Sequence, residues 1–324
     1  MKFGKTTALD GLTFSGGEGQ VLGVLGPNGA GKTTAVRILS TLLRPDSGHA
    51  SVCGVDVVRD PYGVRRLIGL TGQYAAVDEF LTGWENLEMM ARLFRVGRKQ
   101  AKARADELLE QFDLAEAGSR PVKTYSGGMR RRLDIAASLV AKPRVMFLDE
   151  PTTGLDPRSR AGMWSVITEL VREGTTMLLT TQYLDEADQL ADSIVVIDHG
   201  KAIARGTSDE LKRMVGGERL EVTVLDRSKL SAAADAIAAA VDEKPTTDTD
   251  TGKLRVPTPT GTKVLPDVVR ELDEAGVRID DIAIHRPTLD DVFFALTGRA
   301  AEPEASDGGK VTETPSKARV EEPA

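Results

Sequence analysis

GPNGAGKTT, Gly26 to Thr34, places three glycines around a loop that ends in one lysine and two threonines. It fits the pattern G-x-x-x-x-G-K-[ST] through Gly26, Gly31, Lys32 and Thr33. An apolar run over 20–26, QVLGVLG, leads in, and TTAVRILSTLL leads out with helical spacing at Val36, Leu39 and Leu43. Strand, glycine loop and helix in that order predict an anion cradle, because glycines let backbone N–H groups close around phosphates where a β-carbon would obstruct them. Lys32 adds a point charge for the β- and γ-phosphates, Thr33 a hydroxyl for Mg2+, and the helix N-terminus its own partial positive charge. Gly26, Pro27, Asn28, Gly29, Ala30, Gly31, Lys32, Thr33 and Thr34 are therefore the candidate nucleotide contacts.

Further apolar runs at RVMFLDEP, TMLLTT and SIVVIDHG alternate with helix-like stretches, which predicts an α/β fold with a mostly parallel sheet. The first of these ends on Asp149 and Glu150, at the carboxyl edge of the sheet where open α/β sheets bind ligands. Asp149 is the candidate for the magnesium shell, and Glu150 for orienting and deprotonating the attacking water. Between about 74 and 142 the strand signals vanish and amphipathic helices dominate, the mark of a helical insertion. One helix begins at Thr82, capped in concert with Glu85, and sets Leu87, Met90, Ala91 and Phe94 on one face.

Asp198 to Gly200 reads as a hairpin turn, and SDELKRMVGGER as a helix running into a glycine linker. The chain is thus expected to form one domain over 1–215 and a second over 216–299. The second reads strand, alanine-rich helix, a strand weakened by Pro257 and Pro259, helix, strand and helix, the order of a small α+β, ferredoxin-like unit. Its closing segment, PTLDDVFFALTG, carries a cap at Thr288, a stop at Gly298 and an apolar stripe of Leu289, Val292, Phe293 and Leu296. That stripe is expected to close the second core, with docking on another protomer or a membrane partner as the alternative. Residues 300–324 hold three prolines and no aromatics and are expected to be disordered.

Composition narrows the function. No apolar run approaches the 18 or so residues that cross a bilayer, and the basic N-terminus lacks a signal-peptide core, so a cytoplasmic protein is expected. A single cysteine, Cys53, excludes an internal disulfide and a thiolate zinc cluster, and reads as a small buried or half-buried residue. His49, His199 and His285 read as structural or solvated. The net charge of −7 gives no general attraction to nucleic acid, which is not a predicted partner.

Ser126, Gly127, Gly128 and Met129 precede a helix that opens on Arg130, Arg131 and Arg132. Three cations in a first turn oppose the helix dipole, and either solvent or an approaching phosphate would relieve them.

The phosphate loop, LIGLTG followed by Gln73, YSGGM, VMFLDEP, GLD at 154–156 and a late TTQ together resemble the ATPase subunit of an ABC transporter over about residues 1–215. LTGQYAAVDEFLTGWENL, TTQYLDEADQLADSIVVID and PTLDDVFFALTG resemble more narrowly the daunorubicin-resistance-type drug-export ATPases. The resemblance implies that ATP is buried between two protomers, with Ser126, Gly127 and Gly128 on the γ-phosphate of the nucleotide held by the other. It also implies that Gln73 joins magnesium and water to the helical insertion, that Asp156 lies at the dimer interface, and that an upstream aromatic, here Phe3, stacks on adenine. Phe3 also reads as a plain core or frayed residue, and because a strand normally precedes this aromatic, either the chain starts earlier or the sheet lacks an edge. Gln182 stands where most relatives have a switch histidine; its amide can donate to a γ-phosphate oxygen but cannot become a cation.

The function implied is ATP hydrolysis at the cytoplasmic face of the membrane, driving a separate permease that exports a drug-like or lipid-like amphipathic compound. A non-transport regulatory ABC ATPase is the alternative. A phosphate-loop kinase is disfavoured by SGGM and GLD.

Overall fold

The computed structural model describes residues 1–72, 76–215, 217–258 and 261–298. Gln73, Pro259 and the expected disordered tail over 300–324 lie outside them.

Strands β1 (Lys2–Phe3) and β2 (Thr6–Thr7) form a small hairpin, followed by β3 (Val21–Leu25) and α1 (Lys32–Leu39). A second hairpin, β4 (Ser51–Val52) and β5 (Val55–Asp56), leads through α2 (Pro61–Arg65) to β6 (Ile68–Thr71). The helical insertion comprises α3 (Gly83–Leu93), α4 (Arg98–Gln111) and α5 (Gly127–Ser138), with two short 3-10 turns before α5. The sheet resumes with β7 (Val145–Asp149), α6 (Pro157–Arg172), β8 (Thr176–Thr181), α7 (Leu184–Leu190), β9 (Ser193–Asp198) and β10 (Lys201–Gly206). Among the described residues six strands align in the order β10-β9-β3-β8-β7-β6, parallel except for β10.

Alternation along these strands builds a core on each face, as the twofold side-chain period requires. Met146 and Leu148 of β7 join the insertion side with Leu87, Leu108 and Leu133, whereas Val145 and Phe147 join the side of α1 with Val36 and Ile38. The two apolar faces explain why β3 and β7 are buried from end to end.

Local signals fare as their chemistry dictates. Thr82 and Glu85 make the reciprocal cap of α3, and His199 and Gly200, both at positive φ, turn β9 into β10. Phe94 is the residue after α3 and is exposed, and α1 stops at Leu39 because Thr41 turns left-handed, so Leu43 packs from the loop beyond. Cys53 is exposed, contrary to expectation, since it forms the turn between β4 and β5 at φ +50.

After α8 (Ser208–Met214), the strands β11 (Arg219–Val224), β12 (Thr246–Asp248), β13 (Lys253–Pro257) and β14 (Ile279–His285) form an antiparallel sheet in the order β12-β13-β11-β14. With α9 (Leu230–Val241) and α10 (Leu265–Glu274) this is the β-α-β-β-α-β order and sheet arrangement of a ferredoxin-like fold. The last helix, α11 (Leu289–Thr297), departs from the sequence expectation. Its Leu289, Val292 and Phe293 do not enter the ferredoxin-like core; they pack with Leu25, Leu184, Ala187, Ile194, Val196 and Leu211 of the first unit. Both faces of the second core are already supplied by α9, α10 and their own sheet, so the stripe is buried against α7 and α8 instead.

Candidate active site

The phosphate loop is shaped by close backbone approach. A β-carbon on Gly26 would fall 2.3 Å from the Ile197 carbonyl oxygen, and one on Gly31 2.6 Å from that of Ala8. Gly29 and Gly31 both lie at positive φ, and Gly31 is the N-cap of α1 without a side-chain cap, where first-turn N–H groups have no acceptor within the helix. Lys32 is buried and donates from Nζ to the Gly26 and Pro27 carbonyls at 2.7 and 3.3 Å. The side chain that would meet phosphate therefore curls over its own loop.

β7 brings the two carboxylates to this loop. Asp149 accepts from Thr33 Oγ1 at 3.2 Å and from Thr180 Oγ1 at 2.5 Å. Glu150 Oε1 lies 3.5 Å from Lys32 Nζ, and its Oε2 accepts from Thr153 Oγ1 at 3.5 Å. Glu150 sits at φ +50, a region few non-glycine residues occupy, and its N–H is fixed by the Thr180 carbonyl and hydroxyl oxygens at 3.1 Å each. Such strain, on the order of 1–3 kcal/mol, survives where surrounding contacts over-determine the conformation and is concentrated at functional sites.

The donor set fits a hard cation. Thr33 and Asp149 present a hydroxyl and a carboxylate side by side, and among the described residues no group of three or more His, Cys, Asp or Glu forms a cage. Mg2+ is commonly held in that manner, by one or two protein oxygens with the rest from phosphate and water.

The other predicted residues lie in distinct settings. Ser126 is exposed and caps α5, accepting from the Met129 N–H at 3.2 Å, and Gly127 is exposed beside it. Asp156 caps α6 through Ser159 N–H and Oγ at 2.9 and 2.7 Å, bonds that hold its carboxyl below the usual carboxylate range. Gly128 links the two helix starts, since a β-carbon there would meet Ser159 Oγ at 2.9 Å. Among the described residues neither Ser126 nor Asp156 bonds to the phosphate loop. Gln182 follows β8 directly and is half-buried, with Oε1 buried and without a hydrogen-bond partner among the described residues. Phe3 is about half exposed on the first hairpin, whose exit at Ala8 and Leu9 abuts Gly31.

The arginine trio corrects the sequence reading, since the three diverge rather than await a phosphate together. Arg130 pairs with Glu79 and Arg132 with Asp113, whereas Arg131 turns inward. Its guanidinium donates to the backbone carbonyls of Gly72, Asp149, Glu150 and Pro151 and pairs with Asp134. Sequence reasoning also missed Thr180, although parallel register puts it opposite Asp149. It missed Glu186 as well, a fully buried carboxyl that accepts from Thr152 Oγ1 and Trp164 Nε1, and whose pKa burial raises.

Known proteins are similar to this chain in sequence and fold. A family model described as "ABC transporter" matches residues 9–153, and one described as "ATP-binding protein DrrA1-3-like, C-terminal domain" matches 206–297. The daunorubicin resistance ATP-binding protein DrrA2 of Streptomyces coeruleorubidus is 56% identical over 301 residues, 93% of this chain and 94% of that protein. The doxorubicin resistance ATP-binding protein DrrA of Mycobacterium tuberculosis is 50% identical over 91% of this chain and 89% of its own. A solved ATP-binding subunit of an ABC transporter superposes with a TM-score of 0.59 at 28% identity, covering 65% of this chain and 88% of that one.

Proposed function

The chain belongs to the ABC transporter ATP-binding proteins of the daunorubicin-resistance type, and from that premise we propose that its ATP hydrolysis powers a separate membrane permease exporting a drug-like or lipid-like amphipathic compound. The observation that carries this reading is the convergence of Lys32, Thr33, Asp149 and Glu150 at one sheet edge. The relatives named for drug resistance favour transport over the regulatory alternative.

In this proposal the loop from Gly26 to Thr34 cradles the phosphates through the backbone N–H groups of its non-proline residues, and Lys32 leaves its loop carbonyls to neutralise the β- and γ-oxygens. Thr33 and Asp149, with Gln73, would hold Mg2+, and the cation would supply charge neutralisation at the phosphate oxygens. Glu150, released from Lys32 as that ammonium turns to phosphate, takes the proton of the attacking water. Gln182 donates its amide Nε2–H to the γ-phosphate, a role supported by its place directly after β8, the strand that pairs with β7 beside Asp149. Ser126, Gly127 and Gly128 meet the nucleotide of a second copy of the chain, Asp156 lies at that dimer interface, and Phe3 stacks on adenine.

We place the chain peripherally on the cytoplasmic face, through the permease; no helix among the described residues is long and apolar enough to cross a membrane. The chain divides near 216 into an ATPase domain, with its helical insertion at about 74–142, and an accessory domain whose last helix returns to the first. The test is co-expression with a candidate permease subunit in drug-sensitive cells: export and ATP turnover should both require Glu150, and export that persists in Glu150→Gln refutes the coupling.

A further inference from the structure

Arg131 donates five hydrogen bonds beside the catalytic edge among the described residues, and the phosphate chemistry gives it no task. It lies on α5, one turn beyond Ser126, and is 7% exposed. Nε donates to the Pro151 carbonyl at 2.9 Å, and Nη2 to those of Asp149 and Glu150 at 3.2 and 3.3 Å. Nη1 donates to Gly72 and pairs with Asp134 at 3.4 Å. Asp134 in turn accepts from the Ala76 N–H at 2.8 Å. One ion pair thus holds three consecutive carbonyls at the end of β7 and the backbone on both sides of residues 73–75.

Burial pulls the Arg131 guanidinium down and the Asp134 carboxyl up, against the attraction between them. Buried pairs of this sort contribute little net stability, and a best-attested use is to fix a particular geometry. The geometry in question is the left-handed turn at Glu150, which the planar five-donor fork of arginine grips from its carbonyl side while Thr180 grips its N–H.

The geometry points to Arg131, braced by Asp134, as a positioning residue that sets the Glu150 carboxylate from the helix bearing Ser126, and so relays the docking of the partner's nucleotide on that helix to the base. This rests on the proposed roles of Glu150 and Ser126. Arg131 touches no reacting atom; it acts through the main chain of Asp149 to Pro151. The phosphate loop lies outside its contacts, so its loss should affect turnover rather than nucleotide affinity.

The test compares wild type, Arg131→Lys, Asp134→Asn and Glu150→Gln as full chains, reading kcat, KM, affinity for a fluorescent ATP analogue and melting temperature. Lysine keeps the charge but cannot span three carbonyls. Misplacement of a catalytic group by about 1 Å can cost on the order of 100-fold, so Arg131→Lys should lower kcat roughly 10- to 100-fold. Its KM and analogue affinity should stay within about twofold of wild type. Asp134→Asn, which keeps the acceptor for Ala76, should lower kcat less, with affinity again unchanged. A folded Arg131→Lys with wild-type kcat overturns the inference, as does a loss of affinity in parallel with kcat. If Arg131→Lys does not fold, Asp134→Asn decides, and unchanged kcat in that variant overturns the inference. Glu150→Gln separates the two layers: wild-type turnover there refutes the base assignment itself, whereas slow turnover there with a normal Arg131→Lys refutes only the positioning role.

Discussion

Lys32 Nζ stands 3.5 Å from Glu150 Oε1, so the cation meant for phosphate and the candidate base neutralise one another across the sheet edge. In the proposed mechanism an incoming γ-phosphate would compete for that ammonium and release the Glu150 carboxylate, linking substrate binding to the base through one ion pair.

Glu150→Gln should bind ATP normally, turn over about 100- to 10,000-fold more slowly and accumulate as a nucleotide-bound dimer, because the cradle and Ser126 are untouched. Lys32→Ala should instead lose affinity. Steady-state hydrolysis under saturating Mg-ATP, with sizing chromatography in ATP, checks both; wild-type turnover by Glu150→Gln would remove the base from its role.

Much of this site was legible because each signal was local. A glycine loop between an apolar strand and a helix has few other readings, and two carboxylates at a strand's end must face the sheet's ligand edge. The arginine trio was not legible. Successive helix residues point about 100° apart, so sequence shows three like cations while packing alone selects Arg131 for the interior. The stripe of α11 failed differently: its spacing requires burial of that face but carries no information about what covers it. Cys53 shows a third limit, since a turn conformation exposed a residue whose type favours burial.

Gln182 yields a prediction about pH. A neutral amide has no titration near the ordinary histidine value of about 6.5, so wild-type turnover should show no transition from residue 182 between mildly acidic and neutral pH. Gln182→His should add one, with the cationic contribution present below the histidine pKa and lost as pH rises through it. Identical pH–rate profiles for the two proteins would mean that residue 182 does not face the γ-phosphate.

The accessory domain should respond to acid through Glu221. Lys253 and Arg255 on the neighbouring strand, at 2.6 and 2.7 Å, hold its carboxyl down to about 2 from an ordinary 4.5, with His285 at 3.8 Å on its other side. The folded domain therefore binds fewer protons than the unfolded chain below pH 4.5, and the stabilisation present above that value is lost as pH falls toward about 2. Hydrogen exchange on β11 and β13 should accelerate in wild type as the buffer is taken from pH 5 to 3, after correction for intrinsic rates. Glu221→Gln should be less protected at pH 5 and show a flatter dependence; an equally steep one would assign the acid sensitivity to other groups.

The last expectation concerns α11, which ties the accessory domain to the segment that follows Gln182. Thr288 and Asp291 cap the helix reciprocally, Gly298 ends it at φ +68, and Leu289, Val292 and Phe293 are buried against Leu184 and Ala187 of α7 and Leu211 of α8. Burying each such side chain contributes roughly 1.5–3 kcal/mol, so changing Val292 and Phe293 together to aspartate should undock the helix rather than strain it. The ferredoxin-like core does not contain these residues and should keep its cooperative protection on β11 and β13, while α7 and α8 exchange faster and the melting temperature of the ATPase unit falls. Phe294→Ser serves as the control, because Phe294 is exposed on the opposite side of the same helix and its loss should change nothing. If the double variant instead removes protection from β11 and β13 and spares α7, the helix stabilises the accessory core after all, and the tie to the switch segment is refuted.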